Sequence, residues 1–402
     1  MTDQTPQIQQ PNKPHVLVVG GGFAGVKTAL ELSKHHTGDI TLLSDKETFS
    51  YYPALYHTAT GGLYRQSNIP LKRLVDERKV KFVQGSAHSL SRQNKTLVTE
   101  QGQQLHYDIL VLALGVVTNY FGIKGLEENS YTIKSWEQIQ KFKHHLHSLL
   151  TPSTPEQHYV IVGAGPTGIE VAGALPAYLR KIMKKHGVTD QRFKITIIEA
   201  APRLLPHSAE KVSQQVAKRL AALGVELQLG MAVQGASADE LMVNGSPVKS
   251  STIIWTAGTS NHPFFKQNNF TLTEHGKVQV DDYLHAEDDI YVIGDNAQTP
   301  FSGFAQTAVH DGMYVAHDIV RRLKSKKTPA YKPKKPIAVI PVGEGWASVE
   351  WGKSVYAGMF GWWLRSAADW VAFHDVEPWW RATTQWATEF GSQEDCAVCS
   401  KQ

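Results

Sequence analysis

The run His15-Val-Leu-Val-Val19-Gly20-Gly21-Gly22-Phe23-Ala24-Gly25 decides how this chain is read. A short apolar, β-branched run, His15 to Val19, enters consecutive glycines. A helix-period segment follows from Val26 to His36, and a second apolar run covers Ile40 to Leu43. The order is strand, Gly-rich turn, helix, strand. Gly20, Gly22 and Gly25 stand at G-x-G-x-x-G spacing. In such a unit the first glycine makes the tight turn, the second lets a pyrophosphate approach the backbone, and the third lets helix and strand pack closely. The helix N-terminus then offers free amides to the phosphates. An acid about 20 residues further on is expected to accept from a ribose hydroxyl. Asp45 stands there, although Ser44 holds the strand end itself, so the contact can shift by one residue.

The same order recurs. Tyr159 to Val162 leads into Gly163-Ala164-Gly165-Pro166-Thr167-Gly168, then a long helix to about Lys185, then Lys194 to Ile198. Glu199 ends that last strand, further from its glycines than Asp45 is from its own because turn-like residues from Lys184 to Arg192 lengthen the connection. A carboxylate at this place accepts from an adenosine 2′-hydroxyl and repels a 2′-phosphate, which favours NADH; Arg203 keeps NADPH open. The expected fold is α/β, with two nested Rossmann-like dinucleotide-binding domains and a Trp-rich C-terminal amphipathic element. Residues 14–118 and 264–330 form the two parts of one domain, 119–263 form the other, and 331–402 form the C-terminal element.

Two further strands bear on the chemistry. Asp108-Ile-Leu-Val-Leu-Ala-Leu-Gly115 ends in a small residue and a glycine, which allows backbone to pass close beside a cofactor. Ile290-Tyr-Val-Ile-Gly294-Asp295 delivers an aspartate in a loop, which taken alone is an ordinary strand-to-turn residue.

Composition narrows the class. At 402 residues and 42% hydrophobic content the chain is globular and exceeds one ordinary core. No run approaches the ~18 apolar residues needed to span a bilayer, and Met1 to Pro14 has no apolar signal region. The net charge of +4 is too small to imply nucleic-acid binding. Eight basic residues without an acid fall between Arg321 and Pro336, and read either as a solvated Pro- and Lys-rich linker or as a patch facing an anionic membrane. Cysteine occurs only as Cys396 and Cys399. A disulfide framework is therefore excluded, the chain should fold in a reducing cytoplasm, and disulfide or sulfide chemistry by cofactor-adjacent thiols is disfavoured. The Cys-x-x-Cys tip is an exposed thiol pair, a tail dithiol or a metal-binding tip. No other metal site is expected.

These features together resemble the pyridine nucleotide-disulfide oxidoreductase-like flavoproteins, and among them the type II NADH:quinone dehydrogenases. The resemblance is carried by VVGGGFAG at 18–25, Tyr52-Pro53-Ala54-Leu55, LALG ending at Gly115 with Thr118 to Ile123 after it, VGAGPTGIEVAG at 162–173, Trp255-Thr-Ala-Gly258, IGDNA at 293–297 and Ala305-Gln306-Thr307-Ala308. It implies FAD and NADH as cofactors, hydride transfer from nicotinamide to flavin, and two-electron transfer to a quinone without proton pumping, as in a respiratory chain. By that similarity the first glycine motif holds the FAD pyrophosphate and Asp295 holds the ribityl chain. Glu170 matches a glutamate near nicotinamide, flavin and quinone, and Gln306 lies on the quinone-site helix. The family's Ala-Gln-x-Ala-x-Gln pattern breaks at His310, followed here by Asp311. His310 can donate to a quinone carbonyl or supply a proton, or be an ordinary hydrogen-bonded helix residue.

Eight of the ten tryptophans follow residue 340. Between Tyr356 and Phe373 the large apolar groups Phe360, Trp363, Leu364, Ala367 and Val371 share one helical face, with Arg365, Ser366 and Asp369 mainly elsewhere. A second segment, Trp379 to Phe390, repeats the habit. Such helices lie in membrane interfaces, here peripherally on the cytoplasmic face. The competing readings are a homodimer interface or a lid packed on the FAD domain. An NADH reductase with a soluble acceptor such as ferredoxin, or an NADH-sensing interaction flavoprotein, remain the functional alternatives.

Overall fold

The computed structural model describes residues 13–36, 38–150, 158–188, 192–250 and 252–391. Cys396 and Cys399 lie outside the described residues. The chain divides into two compact units: residues 1–47, 71–115 and 261–334 form the first, and 48–70, 116–260 and 335–402 the second.

In the first unit the strands His15–Val19, Asp39–Ser44, Val80–Gln84, Ile109–Leu112 and Ile290–Val292 form a parallel sheet with His15–Val19 inside it, and His285–Glu287 adds an antiparallel edge. Parallel sheets are covered on both faces, so their strands read as unbroken apolar runs. Leu17, Val18, Leu42, Leu110 and Leu112 are accordingly fully buried. One face holds Leu17, Val19, Leu110 and Leu112 in a core with Leu97, Phe264 and Phe265. A pair of helices, Phe23–Ser33 and Ala305–Leu323, packs closely together. The closeness depends on Gly312, where an added Cβ would lie 2.6 Å from the Ala24 carbonyl oxygen.

The second unit repeats the plan. Its parallel sheet runs Val225–Leu229, Lys194–Glu199, His158–Val162, Thr252–Trp255. The helices Trp136–Leu149, Pro166–Lys185 and Glu210–Ala222 supply Phe142, Leu175, Leu179 and Val216 to the large core. Val160, Val162, Ile253 and Trp255 pack into a smaller core with Leu126, Leu241 and Val243.

The division differs from the expected domain bounds by three or four residues at the shared boundaries and more widely in two places. Residues 48–70 fall inside the expected first FAD-binding part, yet group with the second unit. Leu55, Tyr56 and Ala59 are buried there in one core with Phe142, Leu146 and Leu175. The described residues from Lys335 onward also belong to this unit rather than standing apart. They form an antiparallel sheet, Ala338–Pro341, Ala347–Trp351 and Ser354–Gly358, followed by the helices Met359–His374 and Trp379–Ala387. The sheet docks on the helix Pro166–Lys185 where Gly173 has no side chain: a Cβ there would lie 2.6 Å from the Gly343 nitrogen.

Replacing Gly312 with alanine should destabilise the protein by about 1–3 kcal/mol, the usual cost of overpacking against a neighbour that cannot give way. Denaturant unfolding measures it, and an unchanged midpoint would show that the helix pair is not packed through that glycine.

Candidate functional site

Both glycine loops are built alike, and each glycine has a separate physical duty. Gly20 and Gly163 have φ of +119° and +107°, and a Cβ on them would lie 2.1 Å from the Ala113 carbonyl oxygen and 2.8 Å from Ala257. Gly25 and Gly168 lie beneath the carbonyls of Gly20 and Gly163, each oxygen 2.0 Å from where a Cβ would stand. Gly22 and Gly165 differ from these four, since a Cβ on either meets nothing within 4 Å. They are also the N-cap residues of the helices Phe23–Ser33 and Pro166–Lys185, and neither helix start is capped by a side chain. Uncapped amides beside open space form a seat for a phosphate. The two loops therefore fit two dinucleotides.

The expected ribose acids are placed differently. Ser44 is buried, and its Oγ lies 2.5 Å from the position of a Cβ on Gly21, so it fills the space under the first loop. Asp45, the next residue, is exposed. Glu199 is partly buried, and its carboxylate accepts from the amides of Ala164 and Ala201 at 2.7 and 2.8 Å. It thus ties the second glycine loop to the end of its own strand. Arg203 spends its guanidinium on the carbonyls of Pro206 and Ser208 and on the Ser213 hydroxyl.

Gly115 and the 294–296 turn are joined by a residue the sequence did not single out. Asn296 is fully buried; it accepts from the Gly115 amide at 2.8 Å and donates to the Gly115 carbonyl at 2.6 Å. Gly294 has φ +67° and starts the turn, and Asp295 accepts from the Gly303 amide at 2.9 Å. Asp311, fully buried, holds the turn from below. It accepts from the Gly294 amide at 3.0 Å and from the Tyr331 hydroxyl at 2.5 Å.

Tyr331 comes from the Pro- and Lys-rich segment, which runs back along the helix Ala305–Leu323 instead of forming a free linker. Arg321 donates to the Lys327 carbonyl, Tyr314 to that of Pro329 at 2.9 Å, and His310 Nε2 to that of Lys332 at 2.9 Å. That last bond fixes the proton of neutral His310 on Nε2. Gln306, one turn earlier, is exposed. The first unit thus carries Gly20, Gly22, Gly25, Asp45, Gly115, Gly294, Asp295, Gln306 and His310, while Gly163, Gly165, Gly168, Glu170 and Glu199 belong to the second.

Glu170 lies two residues beyond the last glycine of its loop and is partly exposed. Burial of its carboxyl raises the pKa to about 8, opposed by Arg365 and reinforced by Asp369. That shift favours the protonated carboxyl. Neither Arg365 nor Asp369 carried a local signal of this influence, because both come from the C-terminal helix nearly two hundred residues later.

The family profile described as pyridine nucleotide-disulphide oxidoreductase matches residues 14–312. Among curated proteins, the type II NADH:quinone oxidoreductase of Staphylococcus epidermidis is 28% identical over 346 residues, covering 80% of this chain and 85% of the relative. That of Staphylococcus aureus is 27% identical with the same coverage. Among solved structures, NDH2 from Plasmodium falciparum in complex with NADH has a TM-score of 0.84 at 17% identity, covering 94% of this chain and 98% of that one. The sulfide:quinone oxidoreductase of Aquifex aeolicus has a TM-score of 0.76 at 21% identity, covering 96% and 98%.

Asp311 gives this site a pH dependence of defined sign. Burial raises its pKa from 3.8 to about 6, against the opposing bonds from Tyr331 and Gly294. A carboxyl whose pKa is higher folded than unfolded takes up a proton on folding, so its stability contribution is full below about pH 4 and is lost as pH rises through about 6. Asp311→Asn should match the wild type at pH 4 and exceed it by about 1–3 kcal/mol at pH 7. Denaturant midpoints across that range measure the difference, and curves that run parallel would rule it out.

Proposed function

Because the chain belongs to the pyridine nucleotide-disulphide oxidoreductase family, we propose that it is a FAD-dependent NADH:quinone oxidoreductase of type II, passing two electrons from NADH to a quinone without pumping protons. The observation that carries the reading is the pair of loops whose middle glycines, Gly22 and Gly165, open onto empty space at uncapped helix starts. One loop seats each dinucleotide. The curated relatives that match four-fifths of the chain are named for this reaction. With no cysteine before Cys396, chemistry through thiols beside the flavin has no residue to run on in that span.

Bound FAD would supply the two-electron carrier between nicotinamide and quinone. The remaining work belongs to the chain. The amides following Gly22 would hold the FAD pyrophosphate and Asp45 its ribose, while Gly115 would allow close backbone approach and Asp295 would take the ribityl hydroxyls. Gly165 opens the second loop to NADH, and Glu199 faces its adenosine ribose. A 2′-phosphate there would meet the carboxylate, while Arg203 is engaged with the Ser213 hydroxyl and the Ser208 carbonyl. Glu170, whose burial favours the protonated carboxyl, is the donor for the quinone side. Gln306 and His310 form the acceptor's helix face; His310 reaches a quinone carbonyl only by exchanging its Lys332 bond.

The tail helices supply access to a lipid-dissolved acceptor. Phe360, Trp363, Val371, Trp379, Trp380 and Phe390 are all more than half exposed. Large aromatic groups in that position suit a membrane interface, entered peripherally from the cytoplasmic side. Among the described residues no helix is long and apolar enough to cross a membrane. The basic run contributes less than its count suggests, since Arg322 pairs with Asp289 and Lys335 with Glu350.

Steady-state NADH oxidation with a short-chain quinone tests the assignment, and slow turnover with every quinone alongside rapid ferredoxin reduction would overturn it. Removing the tail would uncover the buried Tyr51, whose ring lies 4.3 Å from that of Phe373, so surface variants are the better probe of the membrane. A Trp363→Ser, Trp379→Ser double variant should sediment several-fold less with anionic liposomes, keep its flavin, and lose long-chain quinone turnover more than short-chain. If the double variant instead shifts a dimer to monomers with liposome binding intact, the apolar face joins two copies of the chain.

A further inference from the structure

The helix Met359–His374 is turned with its polar residues inward. Trp363 and Val371 are exposed, while Arg365, Ser366 and Asp369 are buried. Arg365 Nε lies 2.9 Å from Asp369 Oδ2, and its Nη1 donates to the Glu389 carboxylate. The guanidinium also stacks 4.9 Å from the Trp362 ring centroid. Tyr51 donates to Asp369 Oδ1 at 2.6 Å, and its ring lies 4.3 Å from that of Phe373. Next to Tyr51 in sequence, the short helix Leu55–Ala59 packs its Tyr56 into the core.

A buried ion cluster is poor value as a stabiliser, because desolvation offsets most of the attraction. Here it combines one cation with two carboxylates, and its helix and the Glu170 helix close on the same small sheet: a Cβ on Gly361, one turn before Arg365, would lie 2.2 Å from the Ala347 carbonyl oxygen, and one on Gly173, one turn after Glu170, 2.6 Å from the Gly343 nitrogen, which brings the cluster within electrostatic reach of Glu170. We propose that Arg365 and Asp369 are positioning residues for the reaction, fixing the charge that Glu170 faces while they clamp the tail helix to Tyr51. The inference rests on Glu170 being the proton donor for the quinone.

The groups facing Glu170 act in opposite directions. Arg365 favours its ionised form and Asp369 its protonated form, both from the tail helix, and Tyr56 on the helix Leu55–Ala59 is coupled to the same charge. Glu389 acts at one remove, through Arg365 and Asp369. A protonated donor gives an activity that falls as pH rises through its pKa. Removing the positive charge should move that alkaline limb up, and removing the negative charge should move it down. A merely structural role would move both the same way or neither.

The test is the pH profile of kcat for quinone reduction by the FAD-loaded enzyme, with flavin bleaching by NADH followed separately. Glu170→Gln should abolish the alkaline limb. Arg365→Met should raise it by about one pH unit and Asp369→Asn should lower it by a similar amount, the size expected of a unit charge acting through partly shielded protein. Arg365→Lys, which keeps the charge, should leave the limb where it is, and bleaching by NADH should be unchanged in all three tail variants. If the Met variant does not fold, Asp369→Asn decides alone. A limb that stays in place with Asp369→Asn, or moves up, while Glu170→Gln still abolishes it, overturns the inference and spares the role of Glu170. A limb that survives Glu170→Gln overturns both.

Discussion

In each nucleotide loop the third glycine lies directly beneath the carbonyl of the first, Gly25 under Gly20 and Gly168 under Gly163, with no room for even one carbon between them. That contact brings the helix start down onto the strand end. It turns the uncapped amides outward and leaves the middle glycine facing space, so close packing on one side of the loop produces an open anion seat on the other. The parallel sheets and the long helices serve this geometry, and Glu199 ties the second loop to the end of its own strand.

Around the seats, the chain fixes its functional turns with buried polar groups drawn from distant positions. Asn296 bonds both ways to Gly115, and Asp311 carries Gly294 with a hydroxyl from Tyr331 as its second partner. Asp295 thus sits on a turn whose backbone is held from below. Each of these groups is fully or nearly satisfied, as a low-dielectric surrounding demands. The tail follows the same logic on a larger scale: Arg365 and Asp369 lie on the inner face of a helix whose outer face is aromatic, and there they meet Glu389 and Tyr51.

How far the sequence could be read follows from the range of the interactions. The glycine loops, their strands and their helices were legible because each signal lies within about thirty residues, where periodicity and turn chemistry act. The first helix begins at Phe23, three residues earlier than its periodicity suggested, because the loop glycines themselves start it. The phase of the tail helix was legible too. That its polar face would be sealed as an ion cluster was not, since Tyr51 and Glu389 reach it from opposite ends of the chain. Asp311 and Tyr331 were hidden for the same reason, Tyr331 lying in a segment whose prolines and lysines read as linker. The membership of residues 48–70 in the second unit depends on Leu55 and Tyr56 finding Phe142 and Leu175, a pairing no local pattern encodes.

The central claim is that the two loops serve two dinucleotides in one electron path, and stopped-flow absorbance of the purified protein tests it most directly. The account predicts a yellow protein that releases FAD on denaturation. Its flavin band should bleach on anaerobic mixing with NADH much faster than with NADPH, and return on a second mixing with a short-chain quinone. A colourless protein that cannot be reconstituted with FAD, or a bleached flavin that the quinone leaves reduced, would contradict it.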